Sequence, residues 1–350
     1  MIIPTLTKLI VANTNNIKQI SCVFFKMDNP YRDFSKYEKH LQNFCSYVNK
    51  LQNHDICIYV DDSTKDNEIV KSMTEQYNNI NIIYYNCEEY KHNGFHNGVF
   101  GTLIRFYSLF INDERYKYQW ISDVDMTQNY FTTNEEEMMD KNNVDFCFMR
   151  YIHYFTQWVN PSMPASIIGN FIISKITFDR SLLDNYIDEL YHAFYKNKDG
   201  SLNDMIKKLQ TKTQYKYKSE NKELPYGIDE LFLNYYVFPY VIKNKIRYGM
   251  RTELFGSAFT RYARAFGKPN KQEYRIAKEL LKREEELYYN EYKDKDKLKK
   301  YVEDLDIFLH KFKNKIDDEF DYGLKKFDKH KEQFKSSHNI FTIGKLKSRI

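Results

Sequence analysis

Four short apolar runs alternate with segments of helical periodicity, and this alternation restricts the fold more than any other feature of the chain. Between the runs, apolar residues recur at steps of three or four, as at Tyr37, Leu41, Phe44 and Val48, which is the period of an amphipathic helix. Strands that alternate with helices predict an α/β chain with a doubly wound, mainly parallel sheet covered on both faces. The four strand-like runs are IKQISCVFFK (17–26), HDICIYVDDS (54–63), INIIYYN (80–86) and YQWISDVDM (118–126).

The next part of the chain continues this pattern without a standard nucleotide-binding signature. Strand-like runs occupy 144–151 and 166–174, and helical periodicity covers 182–196 and 228–240. Neither GxGxxG nor GxxxxGK[ST] occurs, which argues against the usual dinucleotide fold and against a P-loop NTPase. Ligands of open α/β sheets bind outside the carboxyl ends of the strands, so polar residues at those ends are the functional candidates.

The composition is that of a globular protein and argues against several classes. Of 350 residues, 42% are hydrophobic and 29% charged, and the net charge of +5 is modest, so we expect no nucleic-acid binding. The five cysteines form no CxxC pair, and we expect reduced thiols in place of a disulfide frame or a zinc site. The absence of a leader-like N-terminus and of any membrane-spanning run favours a cytoplasmic protein.

From about Lys271 the chain changes to long charged segments that carry an apolar stripe at helical spacing. Such a stripe packs on the rest of the chain, which we favour, or pairs with a second copy in a homodimer. We therefore expect a main α/β domain (1–270), a charged amphipathic helical extension (271–335) and a polar, basic tail (336–350). The stripe consists of Leu298, Val302, Leu305, Leu309, Phe312, Ile316 and Phe320.

Two aspartates, Asp123 and Asp125, follow the apolar segment WIS where the fourth strand-like run ends. Residues i and i+2 of an extended chain point to the same side, and neighbouring carboxylates repel each other unless a cation or a proton relieves them. All-oxygen ligation suits Mg²⁺ or Mn²⁺. A turn cap beside a solvated acid explains the same spacing, so both interpretations stay open on position alone.

The order of four features resembles the GT-A class of nucleotide-sugar-dependent glycosyltransferases, across roughly residues 17–270. The segment FGTLIRFYSLF carries Arg105, WISDVDM ends in the DxD motif, SIIGNFIIS has a glycine within a strand, and YGIDELFLNYY (226–236) starts a helix with two acids. The spacing is most similar to the glycogenin-like and lipopolysaccharide-galactosyltransferase-like group. The resemblance implies that residues 1–270 form a GT-A catalytic domain and that the protein is a metal-dependent glycosyltransferase.

The resemblance also implies roles for these residues. Asp125 would bind Mn²⁺ or Mg²⁺ most directly, Asp123 would contact the metal or the ribose, and the ion would stabilise the departing diphosphate. Arg105 would pair with Asp123 or with the donor, although a surface helix arginine is the alternative. Gly169 and Asn170 would let the donor sugar approach the backbone, or would mark a bulge without a ligand.

Asp229 and Glu230 are the catalytic candidates. The resembled class places a catalytic or donor-contacting acid at this helix start: a general base in an inverting enzyme, or a group beside the oxocarbenium-like centre in a retaining one, which we favour. Acids at a helix N-terminus are also stabilised by the helix dipole whatever the function.

The donor nucleotide is expected over the ends of the first strands. Tyr31 would stack on a base, and Asp61 or Asp62 would hold ribose hydroxyls; turn chemistry around Asn29 and Pro30 explains the same residues without a ligand. A UDP-sugar is the favoured donor, and the acceptor, whether carbohydrate, protein or lipid-linked, is undetermined.

The chain departs from the resembled group at RYARAFGKPN (261–270), which lacks the histidine and the tryptophan expected there. The third metal ligand is therefore missing from this segment, and water or another residue must replace it. Two other functions compete: a sugar-phosphate nucleotidyltransferase, which the absence of glycine from FKMDNPYRDF disfavours, and a non-catalytic binding or assembly protein that uses its helical tail.

Overall fold

The structure is a computed structural model that describes most of the chain. Several predicted residues lie outside the described part: Asn29, Pro30, Tyr31, the segment 152–166, the segment 254–270 that includes RYARAFGKPN, Ile316 and Phe320 of the apolar stripe, and the predicted tail apart from 341–343. The described residues are 1–26, 34–48, 50, 53–92, 94–96, 99–126, 131, 135–151, 167–196, 201–212, 224, 227–253, 271–289, 294–315, 321, 324–325, 327–329, 331–332, 335 and 341–343.

The chain divides into two compact units. The first comprises residues 1–148 and 167–248, and the second comprises residues 149–166 and 249–347. The domain boundaries predicted at 270 and 335 stay predictions.

The strands of the described residues are β1 Thr5–Ile10, β2 Lys18–Phe24, β3 His54–Asp61, β4 Ile80–Asn86, β5 Lys91–His92, β6 Phe95–His96, β7 Tyr118–Ile121, β8 Phe146–Tyr151, β9 Ile167–Ser174, β10 Tyr248–Glu253 and β11 Phe341–Ile343.

Within the first unit the sheet has the order β1-β4-β3-β2-β7-β9-β8, to which β8 contributes only its residues up to Phe148. The central strands β4, β3, β2 and β7 are parallel, and β3 is buried along its whole length, as expected for strands covered on both faces. The predicted α/β class with a mainly parallel core is confirmed. The sheet is nevertheless mixed, because β1 runs antiparallel to β4 and β9 runs antiparallel to β7.

Because β9 is antiparallel to β7, it begins at the edge where β2, β3 and β7 end. Its register pairs Ile121, the last residue of β7, with Ile172. One edge of the sheet thus contains the ends of the four parallel strands and the start of β9.

Helices are present, with shifted ends, where helical periodicity predicted them: around Tyr37 to Val48, over 182–196 and over 228–240. Asn67 caps α2 by accepting hydrogen bonds from the backbone N–H groups of Ile69 and Val70, which is a typical N-cap. The described helices are α1 Phe34–Val48, α2 Glu68–Gln76, α3 Gly101–Ile104 with the 3₁₀ turn Arg105–Leu109, α4 Glu135–Lys141, α5 Ser181–Tyr191 with the π turn His192–Lys196, α6 Ser201–Lys212, α7 Ile228–Phe232, the π turn Leu233–Val237, α8 Phe238–Lys243, α9 Lys271–Tyr289 and α10 Lys295–Lys311.

The second unit contains α9 and α10, which run antiparallel to each other. Two ion pairs fix this direction, since Arg283 contacts Asp304 at 2.7 Å and Lys311 contacts Glu273 at 2.8 Å. Phe341–Ile343, which lie in the predicted tail, pair antiparallel with β10. Among the described residues, no helix is both apolar enough and long enough to cross a bilayer.

The apolar stripe of α10 is buried in the folded chain. This burial favours packing within the chain over an open face for a second copy, and dimerisation itself stays a prediction. The buried members of the stripe are Leu298, Val302, Leu305, Leu309 and Phe312.

Candidate functional site

The paired aspartates lie in a turn that follows β7. The strand ends at Ile121, and the backbone N–H of Met126 donates a hydrogen bond to the carbonyl of Asp123. The side chain of Asp123 is about one-third exposed, and Asp125 is exposed. The prediction that an extended strand points both carboxylates to the same side is therefore wrong, because neither aspartate lies in β7. If the two carboxylates approach each other, the turn and the neighbouring side chains must bring them together.

Arg105 is the neighbour that orients Asp123. It lies in the 3₁₀ turn after α3 and is only 4% exposed, so the interpretation as a surface arginine is wrong. Its Nη1 donates to Oδ1 of Asp123, and its Nη2 donates to Oδ2 of Asp229 at 2.9 Å. A buried guanidinium needs carboxylate partners to offset the loss of hydration, and here it joins the end of β7 to the start of α7.

Asp229 reaches Arg105 because of how α7 begins. Gly227 precedes the helix with φ of +92°, a left-handed conformation that glycine adopts without strain. Asn234, one turn further on, is fully buried and bonds to both the N–H and the carbonyl of Ile167 in β9 and to the carbonyl of Glu230. These bonds attach the helix start to the first residue of β9.

Glu230 follows Asp229 in the sequence, and its pKa differs strongly from the usual glutamate value. Burial, and next the charge and the hydrogen-bonding proximity of Asp229, raise the pKa of Glu230 well above its usual value, while Arg105 opposes the shift. No described group donates a hydrogen bond to its Oε2. Asp229 and Glu230 thus have different surroundings although they are adjacent in sequence.

Gly169 has a packing reason for lacking a side chain. A methyl group built there would lie 2.5 Å from Nη2 of Arg105 and 3.0 Å from Oδ2 of Asp229, so the ion pair occupies the space of the missing side chain. β9 runs without interruption through this position. The approach of a donor sugar to Gly169 and Asn170 stays a prediction.

Asp61 and Asp62, at the end of β3, differ from each other. Asp61 is fully buried and accepts from the N–H and the hydroxyl of Ser63, from Tyr85 and from His96. These four bonds use the acceptor capacity of one carboxylate. Burial raises the pKa of Asp61, but the bonds from His96 and Ser63 outweigh it and lower the pKa below its usual value.

Asp62 is half-buried and pairs with Lys91 at 2.9 Å. Its Oδ1 has no hydrogen-bond partner among the described residues, whereas both oxygens of Asp61 are bonded. The ribose contact of either acid stays a prediction.

The group Asp61, Asp62 and His96 has the spacing of a metal site, but its hydrogen bonds do not fit one. The backbone N–H of Cys87 donates to Nε2 of His96 at 2.9 Å, so the ring proton is on Nδ1, which faces Asp61 at 2.8 Å. A metal at Nδ1 would require the proton to move to Nε2, against an N–H donor. His96 therefore holds Asp61 in place.

A metal at Asp123 and Asp125 fits the donor chemistry. Among the described residues, the compact groups of three or more ligand-type side chains include neither acid; the second such group is Asp306, His310 and Asp328. Two carboxylates with water and substrate oxygens completing the shell is the usual arrangement for Mg²⁺ with a phosphate ligand. The segment 261–270, where a third ligand was sought, lies outside the described residues.

The sequence alone assigned no role to His96, Asn234 or Lys91. Their partners, Asp61, Ile167 and Asp62, are 29 to 67 positions away in the sequence, and no spacing pattern indicates these pairs.

Comparisons with known proteins assign no family. No family model and no curated protein matches the chain. Among solved structures, the 4-diphosphocytidyl-2C-methyl-D-erythritol synthase from Anaerococcus prevotii DSM 20548 is similar at 13% identity with a TM-score of 0.29, covering 64% of this chain and all of its own. A similarity this low carries no argument about activity, so function must be argued from the site.

Proposed function

We propose that the protein is a metal-dependent glycosyltransferase that moves a sugar from a nucleoside-diphosphate donor, with a UDP-sugar favoured, to an acceptor hydroxyl. The observation that carries the proposal is the connection that Arg105 makes between Asp123 and Asp229. It places the DxD turn beside the acidic helix start, at the edge of an α/β sheet where ligands bind.

The charges of this cluster support a divalent cation. Asp123, Asp125 and Asp229 carry three negative charges when ionised, and Arg105 supplies one positive charge. The four side chains together carry two net negative charges, which Mn²⁺ or Mg²⁺ would balance.

Each residue of this cluster has a separate proposed role. Asp123 and Asp125 would hold the metal, which when bound supplies Lewis-acid stabilisation of the leaving diphosphate. Arg105 fixes the carboxylate of Asp123 before any ligand arrives, so less ordering is needed on binding. Asp229, held by the same guanidinium, would be the donor-contacting acid that the resemblance implies.

The experiment is a thermal-shift screen of sugar nucleotides with and without Mn²⁺, followed by assays of hydrolysis and transfer. A donor that raises the melting temperature only with Mn²⁺, and that is turned over by the wild type but not by Asp125→Ala, supports the proposal. Full turnover by Asp125→Ala would refute the metal assignment. If no sugar nucleotide shifts the melting temperature and Asp125→Asn leaves every property unchanged, a non-catalytic protein is the better account.

A further inference from the structure

Asn234 joins strand β9 to the helix that carries Asp229. Its side chain is fully buried, in the π turn Leu233–Val237 that follows α7. The backbone N–H of Ile167 donates to Oδ1 of Asn234 at 3.0 Å. Nδ2 of Asn234 donates to the carbonyl of Ile167 at 2.9 Å and to the carbonyl of Glu230 at 2.8 Å. Both hydrogens of the amide are therefore used, and its oxygen accepts as well.

The backbone on either side of Asp229 is held by a buried side chain. Tyr186 of α5 donates to the carbonyl of Ile228 at 2.8 Å, and Asn234 donates to the carbonyl of Glu230. Asp229 lies between these two carbonyls in the chain, so the backbone that carries its carboxylate is fixed on both sides. A π turn inserted in a helix is frequently found at a functional site, and this one carries the second of the two anchors.

The strand that Asn234 contacts also lies against the Arg105–Asp229 ion pair. A methyl group on Gly169 would lie 2.5 Å from Nη2 of Arg105 and 3.0 Å from Oδ2 of Asp229. Gly169 is two residues from Ile167 in β9, where the three bonds of Asn234 set the separation between this strand and the helix. A shift of α7 relative to β9 would therefore change the 2.9 Å bond from Arg105 to Asp229.

We propose that Asn234 is a positioning residue, which holds α7 against β9 so that the carboxylate of Asp229 meets the guanidinium of Arg105. Through Arg105 it also acts on Asp123, whose carboxylate accepts a bond from Nη1. This inference deepens the proposed function, on which its effect on sugar transfer rests. Its effect on the ion pair does not depend on any activity.

Nuclear magnetic resonance of the unliganded protein labelled with ¹⁵N-arginine tests the position of the pair without an activity assay. A guanidinium bonded to two carboxylates rotates slowly about its C–N bonds, so we expect separate Nη–H signals that are absent from Arg105→Met. In Asn234→Ala these signals should merge or disappear while the protein stays folded, because α7 has lost its bonds to β9. Wild-type signals in folded Asn234→Ala would overturn the proposal.

Asn81 provides a matched control for the loss of a buried asparagine. It is 1% exposed, and its amide also accepts one hydrogen bond and donates two. It is the second residue of β4, at the opposite edge of the sheet from the end of β7. Asn81→Ala should lower the melting temperature as Asn234→Ala does, but it should leave the Arg105 signals unchanged. Equal loss of these signals in both variants would indicate general loosening and overturn the proposal.

A milder variant keeps the test decisive if Asn234→Ala does not fold. Asn234→Ser keeps one hydroxyl donor in place of the two amide hydrogens, so we expect its Arg105 signals to be shifted or broadened. Arg105 signals identical to those of the wild type would again overturn the proposal.

Turnover of a donor found in the thermal-shift screen measures the catalytic consequence. We expect Asn234→Ala to lower kcat by up to about 100-fold, as displaced reacting groups do, and to have no further effect in an Asp229→Ala background. Equal effects of Asn234→Ala in both backgrounds would show that it does not act through Asp229. If the wild type turns over no sugar nucleotide but the Arg105 signals respond as expected, the proposed function fails and the positioning role of Asn234 stands.

Discussion

Replacing Gly169 by alanine tests how tightly the Arg105–Asp229 pair is packed. The added methyl group would lie 2.5 Å from Nη2 of Arg105, whereas ordinary contacts are about 3.5–4.0 Å. The guanidinium must therefore move by roughly 1 Å. A movement of that size lengthens the 2.9 Å bond to Asp229 beyond hydrogen-bonding distance.

The expected cost follows from three effects. Overpacking a filled site costs about 1–3 kcal/mol, and complete loss of a buried pair costs about 3–5 kcal/mol, which is an upper limit for a displaced arginine. Replacing a strand glycine returns about 0.5–1 kcal/mol of backbone entropy. We expect Gly169→Ala to lower the free energy of unfolding by about 1–3 kcal/mol.

The assay is urea denaturation of four proteins that form a double-mutant cycle: the wild type, Gly169→Ala, Arg105→Met and the double variant. Without the guanidinium most of the clash is gone, so Gly169→Ala should be nearly neutral in that background, with a coupling energy of at least about 1 kcal/mol. Gly94→Ala separates backbone strain from packing: nothing lies within 4 Å of the added methyl, but its φ of +82° is unfavourable for alanine, so its cost should be the same with and without Arg105→Met. Additive effects of the two site substitutions, or a Gly169→Ala protein as stable as the wild type, would refute the packing argument.

Three further predictions concern residues outside the DxD turn. His96→Ala should cost about 3–5 kcal/mol in urea unfolding, because it leaves the buried Asp61 without its main donor; unchanged stability would contradict this role. The lowered pKa of Asp61 stabilises the wild type above the ordinary aspartate pKa and is lost as the pH falls through the lowered value, so the advantage over His96→Ala should shrink in acid. Leu305→Ala should cost about 2–5 kcal/mol, while Ile307→Ala on the same helix, 72% exposed, should stay within about 0.5 kcal/mol; equal effects would contradict the burial of the α10 stripe.

Most of the elements follow from local patterns. Continuous apolar runs predicted β2, β3, β4 and β7, because parallel strands buried on both faces leave no polar positions. The antiparallel direction of β9 was not predictable, since a short apolar run has the same composition in either direction. The helix α10 was predictable because its apolar stripe keeps the helical period from Leu298 to Leu309.

The candidate site was predictable in part. Resemblance indicated Arg105 and Asp229, but their direct contact depends on packing between residues 124 positions apart. The strand context of Asp123 was wrong because β7 stops two residues before it. The importance of Gly169 as space for an ion pair could not be inferred from a glycine in a strand, which is equally typical of a bulge.

Binding of Mn²⁺, followed by electron paramagnetic resonance during titration with protein and UDP, tests the central claim most directly. The account predicts that the wild type binds Mn²⁺ more tightly when UDP is present, and that Asp125→Asn loses this binding while keeping the melting temperature of the free protein. Asp296→Asn, an exposed acid of the DKD triplet in α10, should bind as the wild type does. Equal Mn²⁺ and UDP binding by Asp125→Asn and the wild type would contradict a cation site at the end of β7.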